Sequence, residues 1–86
     1  MKFYYVYVLL SGKDKKFYIG FTENLEKRCS EHEQRKVFST ASRLPVELIF
    51  FEAYKNKYDA LRREKYLKSS KGKTTLKSML KEYINS

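Results

Sequence analysis

The stretch "YYVYVLL", Tyr4 to Leu10, is separated from "FYIGF", Phe17 to Phe21, by the polar run "SGKDKK", Ser11 to Lys16. Phe3 to Leu10 is an unbroken series of aromatic, β-branched and leucine residues, the composition of a strand covered on both faces and therefore central in its sheet. Ser11 to Lys16 is turn chemistry, and Phe17 to Phe21 resumes strand composition, so the two pieces read as an antiparallel hairpin. Pairing symmetric about the turn sets Leu10 against Phe17 and Tyr7 against Gly20. Opposed residues, and residues two apart, share a face, which places Tyr7, Leu9, Tyr18 and Gly20 together on one side. A slip of one residue would send the two tyrosines to opposite faces.

From the hairpin onward the chain alternates. Thr22 or Asn24 suits an N-cap for a helix to about Gln34, with Glu23 and Glu26 in its first turn. Leu25, Arg28, Cys29 and His32 fall on one helical face, so an arginine and a histidine share the stripe that ought to be apolar. "RKVFSTASR", Arg35 to Arg43, reads as a loop, and Pro45 introduces a third strand, "VELIFFEAY", Val46 to Tyr54. The spacing then predicts a helix from about Lys57 to Ser69, with Ala60, Leu61 and Leu67 inward and Glu64 in the middle of that face. Arg62, Arg63, Lys65 and Tyr66 point elsewhere. "SSKGK" breaks the pattern, and Thr74 to Ile84 forms a last amphipathic helix. The expected fold class is α+β, a three-stranded antiparallel sheet flanked by helices, in one domain over residues 1–86.

Composition narrows the function. A chain of 86 residues buries only about 60% of its unfolded surface, and with eight Tyr, six Phe and no Trp its core is built largely from rings. The single cysteine, Cys29, excludes an intrachain disulfide and a cysteine-based zinc site, and implies a reducing, cytoplasmic setting. The apolar N-terminal run is too short for a membrane span. The formal net charge is +9, and residues 55–86, with ten basic and three acidic residues, carry most of it. Such a charge attracts polyanions, most commonly nucleic acid.

Tyr7, Tyr18, Arg28, His32 and Glu64 are the residues that do not belong on apolar faces unless paired or useful. Singly, each has a plain structural reading. The tyrosines are core rings with hydroxyls at the surface, His32 is a hydrogen-bonded core residue, and Glu64 is the ion-pair partner of Lys68 or of Arg28.

Taken in order, these residues carry a resemblance. Tyr5-Val6-Tyr7 and Tyr18-Ile19-Gly20 resemble the paired signature of the GIY-YIG nuclease superfamily, the second triplet in full and the first with Tyr5 in place of glycine. Arg28 and His32 match its R-x-x-x-H helix, and Glu64 matches its single metal-binding glutamate. The resemblance runs from Tyr4 to Ser69. In overall pattern the chain is similar to small stand-alone members and to the N-terminal nuclease domain of the excinuclease C subunit. Two departures stand out: no clear match exists for the asparagine many members carry after the metal-binding helix, and Phe21 replaces the excinuclease-type lysine.

The resemblance implies a metal-dependent endonuclease that hydrolyses DNA phosphodiester bonds, in repair or recombination. Glu64 would hold one Mg²⁺ or Mn²⁺, Arg28 would pair with the scissile phosphate, Tyr7 would orient or deprotonate the water, Tyr18 would hold the network and His32 would accept the proton. Gly20, lacking a Cβ, would let a phosphate or the neighbouring helix approach. Arg43, Lys68, Lys71, Lys73, Lys77 and Lys81 join Arg28 and Gly20 as candidate nucleic-acid contacts, which give affinity without sequence specificity. The alternatives are a catalytically weak nucleic-acid-binding module that recruits another nuclease, and a basic RNA-associated protein.

Overall fold

The structure, a computed structural model, describes residues 1–37, 41 and 45–86. Strands β1 (Tyr4–Ser11), β2 (Phe17–Thr22) and β3 (Val46–Tyr54) form one antiparallel sheet in the order β2-β1-β3. The run without polar interruption is thus the central strand. Its register against β2 sets Tyr7 opposite Gly20, Leu9 opposite Tyr18 and Leu10 opposite Phe17, as the symmetric hairpin predicts. Against β3 the ladder is irregular between Val8 and Leu9, which face Phe50 and Leu48, so Ile49 is an extra residue in a bulge.

Each face of the sheet has its own helices. Val6 and Val8 are fully buried against Ala60 and Leu67 of α2 (Lys57–Lys68) and Leu76 of α3 (Ser70–Met79). Tyr7, one residue out of phase, points to the opposite face and meets His32 of α1 (Leu25–Glu33). Asn24 caps α1 by accepting a hydrogen bond from the Lys27 amide, and Asn56 caps α2 through the Tyr58 amide.

Arg63 departs from the helical-face reading. It reaches the sheet and forms a bidentate pair with Glu52, at 3.0 and 3.2 Å, while the Tyr54 hydroxyl donates to the same carboxylate at 2.7 Å. Glu52 lies opposite Val6 in the register, so this cluster pins α2 to β3 one residue away from Glu64. Burial and the bond to the carboxylate push the Tyr54 hydroxyl up to about 12.

The C-terminal region also differs from expectation. "SSKGK" does not break the helical pattern: α3 begins at Ser70, capped by the Ser69 hydroxyl, which accepts from the Gly72 amide at 3.1 Å. Gly72 is buried, and a Cβ on it would lie 1.9 Å from the Tyr66 carbonyl oxygen and 2.5 Å from Leu67 Cα. Glycine here is a packing requirement, since α3 rests directly on the last turn of α2. The predicted last helix is instead divided near Leu80, and α4 (Lys81–Ile84) is a single turn tied back to β3 by the Tyr83 hydroxyl on Glu47. Among the described residues no helix is long and apolar enough to cross a membrane.

Candidate active site

Tyr7 is 3% exposed, and its ring is held in place from beneath. A Cβ on the facing Gly20 would stand 2.3 Å from both Cζ and the hydroxyl oxygen of Tyr7. The space beside Gly20 is taken by the Tyr7 ring, so the close approach that its missing Cβ allows is made by Tyr7.

The Tyr7 hydroxyl lies 3.0 Å from His32 Nε2 and accepts a hydrogen bond from Arg28 Nε at 3.3 Å. The spacing of Arg28 and His32, one turn apart on α1, brings both to one tyrosine. With one lone pair of the phenol engaged by Arg28, its O–H is free to donate to His32 Nε2 in the tautomer that leaves that nitrogen unprotonated. Arg28 Nη1 also reaches Glu31, at 3.3 Å.

The electrostatics fit that arrangement. Burial, followed by the Arg28 charge, holds the His32 pKa below the ordinary histidine value, with Glu31 opposing. Burial raises the Tyr7 pKa, and the hydrogen bond and charge of Arg28 offset only part of the effect. At neutral pH the pair is a protonated phenol beside a neutral imidazole.

The His32 shift carries a stability consequence. Since the folded chain resists protonation of the ring more than the unfolded chain does, the unfolded state binds more protons once the pH drops below about 6.5. The contribution of this site to stability is full above that pH and is lost as pH falls through the depressed folded value. Urea unfolding at pH 7.5, 6.5 and 5.5 is expected to show wild type losing stability stepwise, and His32→Gln showing a flatter profile over the same interval. Parallel profiles would contradict the assignment.

These groups open onto a cavity of about 720 Å³, lined by Tyr7, Tyr18, Gly20, Arg28, His32 and Glu64 among others. It wraps the β2 edge, so that Glu64, from the helix on the opposite face, joins the residues of the Tyr7 face. Tyr18 reaches the cavity too, but its hydroxyl donates to Asp14 in the preceding turn at 3.3 Å. Glu64 Oε2 is 3.1 Å from Lys68 Nζ, the first of the two partners the sequence suggests.

Lys68, Lys73 and Lys77 line the cavity, whereas Lys71 does not and Lys81 lines a neighbouring groove. Arg43 lies outside the described residues. The sequence reading missed Lys15 and Lys16, which line the cavity from the hairpin turn, and Asp14, which holds Tyr18. Their signal was the basic "KDKK" set directly between the two tyrosine triplets, read only as turn chemistry.

Five lysines and Arg28 thus share this cavity with Glu64, the one carboxylate lining it among the described residues. No group of three or more His, Cys, Asp or Glu suited to a metal occurs among the described residues. A hard divalent ion such as Mg²⁺ is nonetheless compatible with this donor set, because it keeps several waters and commonly takes one or two carboxylates plus phosphate oxygens. Glu64, with 20% of its side chain exposed in an open cavity, offers one such oxygen donor and room for the waters.

Comparison with known proteins gives the family. A family model described as the GIY-YIG catalytic domain matches residues 3–77. The chain is 44% identical over 68 residues to a UPF0213 protein of Lacticaseibacillus paracasei, covering 78% of this chain and 75% of that one. It is 45% identical over 65 residues to a UPF0213 protein of Clostridium perfringens, covering 74% and 69%. The solution NMR structure of a UPF0213 protein from Bacillus halodurans is similar with a TM-score of 0.57 and 33% identity, covering 92% of this chain and 85% of that chain. The matched region contains the whole sheet, the helix of Arg28 and His32 and the helix of Glu64, and the chain accordingly belongs to the GIY-YIG family of nucleases, alongside the UPF0213 proteins.

Proposed function

We propose that this chain is a divalent-metal-dependent DNA endonuclease. The observation that carries the reading is the convergence of Tyr7, Arg28 and His32 in one hydrogen-bonded cluster, on a basic cavity that Glu64 also lines. Family membership supports hydrolysis of a phosphodiester, which requires an activated water, stabilisation of charge on the phosphoryl oxygens and assistance to the leaving oxygen.

Each requirement has a candidate among the chain's own groups. Arg28, whose guanidinium donates to the Tyr7 oxygen, pairs with a phosphate oxygen entering the cavity. Tyr7 takes a proton from the attacking water as its own passes to His32, so the buried phenol never has to exist as a free phenolate in the resting protein. The lowered pKa of His32 leaves the imidazole neutral and ready to receive that proton. Tyr18, through Asp14, keeps the hairpin turn and its lysines at the cavity mouth. A cation held by Glu64 would supply charge neutralisation at the phosphate and leaving oxygen. Lys15, Lys16, Lys68, Lys73 and Lys77 contact the backbone without reading bases, a pattern suited to structure-selective or non-specific binding in repair or recombination.

One observation favours the binding-module alternative. The Glu64 oxygen that would face a cation is occupied by the Lys68 ammonium. The two readings separate on labelled single-stranded, nicked, branched and duplex DNA incubated with the protein in Mg²⁺, in Mn²⁺ and in chelator. The nuclease reading expects cutting that chelator abolishes and added metal restores. Binding without cutting under every condition would leave the binding module.

A further inference from the structure

We propose that Lys68 is a built-in competitor for the cation at Glu64, so that the free protein binds the metal poorly and binds it better once nucleic acid occupies the cavity. The inference rests on the reading of Glu64 as the cation-holding carboxylate. Lys68 follows Glu64 by four residues on α2, the order in which a Glu and a Lys pair best along a helix, and its ammonium sits 3.1 Å from Oε2. It also occupies the last turn of α2, where the helix terminus favours positive charge. The side chain is 55% exposed while that of Glu64 is 20% exposed, so the ammonium caps the carboxylate from the solvent side of the cavity.

An ammonium on that carboxylate and a divalent ion held by it repel each other at short range. Arg28, Lys15, Lys16, Lys73 and Lys77 add to the repulsion, because together with Lys68 they leave the cavity strongly positive before substrate arrives. A phosphate entering the cavity reverses both effects. It brings negative charge, and it offers Lys68 a second anion, drawing the ammonium away from Glu64. Exposed pairs of this kind are weak, so exchange is easy. By linkage, whatever the phosphate does for the cation the cation does for the phosphate. Lys68 therefore has two successive partners, the Glu64 carboxylate in the free protein and the nucleic-acid backbone in the complex.

The test is Mn²⁺ titration followed by paramagnetic broadening of backbone amide NMR signals, in wild type, Lys68→Gln and Glu64→Gln. The expected result is broadening centred on residue 64 in the first two, absent in Glu64→Gln, with Lys68→Gln reaching half-effect at roughly five-fold lower Mn²⁺ because one nearby positive charge is gone. Equal Mn²⁺ dependence in wild type and Lys68→Gln, with broadening still centred on residue 64, would overturn the competitor role and leave Glu64 as the ligand. No broadening around residue 64 in either protein would overturn the Glu64 reading and this inference with it.

Discussion

Alanine at Gly72 is expected to destabilise the folded chain by about 3 kcal/mol or more, lowering Tm by roughly 15 °C in a domain of this size. The direction is the reverse of what the helix alone would give, since replacing an interior helical glycine with alanine ordinarily gains about 1 kcal/mol. Gly72 lies in the first turn of α3, and the atoms its new methyl would strike, the Tyr66 carbonyl oxygen at 1.9 Å and Leu67 Cα at 2.5 Å, are backbone. No rotamer change relieves such a contact. Either α3 lifts from the end of α2, exposing Leu76 and Leu67 from the core, or the last turn of α2 unwinds next to Glu64. Thermal and urea unfolding of the variant checks this. A stability equal to or above wild type would mean that α3 does not rest on α2 as described.

The same glycine shows where sequence reasoning stops. Read along the chain, "SSKGK" between two amphipathic segments looks like a break, because glycine and serine weaken helices. In the fold the break is a single residue, Ser69, and the glycine is helical because another helix lies against it. Local composition records that a helix is weak at a point but not that a neighbour demands it.

Arg63 is a similar case. Helical spacing turns it away from the Ala60 and Leu67 stripe, yet its long side chain extends to the Glu52 carboxylate on β3. A face assignment describes where a Cβ points, and a guanidinium can travel several ångströms from there.

The sheet was more legible, for reasons equally physical. A hairpin symmetric about its turn supplies the register, so the pairing of Tyr7 with Gly20 could be read before any coordinates, although the unbroken apolar run of β1 did not itself exclude a slip. The bounds of β3, Val46–Tyr54, also agree. Arg28 and His32 declared themselves by standing on an apolar stripe. Their common partner did not, because only packing of α1 against the Tyr7 face brings both to one hydroxyl. The sequence likewise offered Glu64 two cations, Lys68 one turn along its own helix and Arg28 across the interface, and the structure pairs it with Lys68. Gly20 was correctly singled out as a close approach, but the approaching group is the Tyr7 ring itself.

That ring carries the second large effect, the removal of one oxygen atom by Tyr7→Phe. The ring stays in its slot above Gly20, so the core keeps its shape. What is lost is the oxygen that joins Arg28 to His32, at a cost in stability of about 1 to 2 kcal/mol from hydrogen bonds not made. Against a well-populated folded state this is tolerable. The effect on chemistry is expected to be far larger, a loss of about 10³ in the cleavage step, within the range that a positioned acid or base contributes. Substrate affinity, which the proposed reading assigns to lysines the substitution does not touch, is expected to change by no more than about two-fold.

The central measurement is therefore single-turnover cleavage of a labelled DNA by wild type and Tyr7→Phe in Mg²⁺ or Mn²⁺, with DNA binding recorded in parallel. Metal-dependent cutting by wild type is expected, with a rate about 10³ lower in the variant and nearly equal binding by the two proteins. Cutting by Tyr7→Phe at the wild-type rate, or its loss only in step with lost binding, would contradict a catalytic cluster built on the Tyr7 hydroxyl.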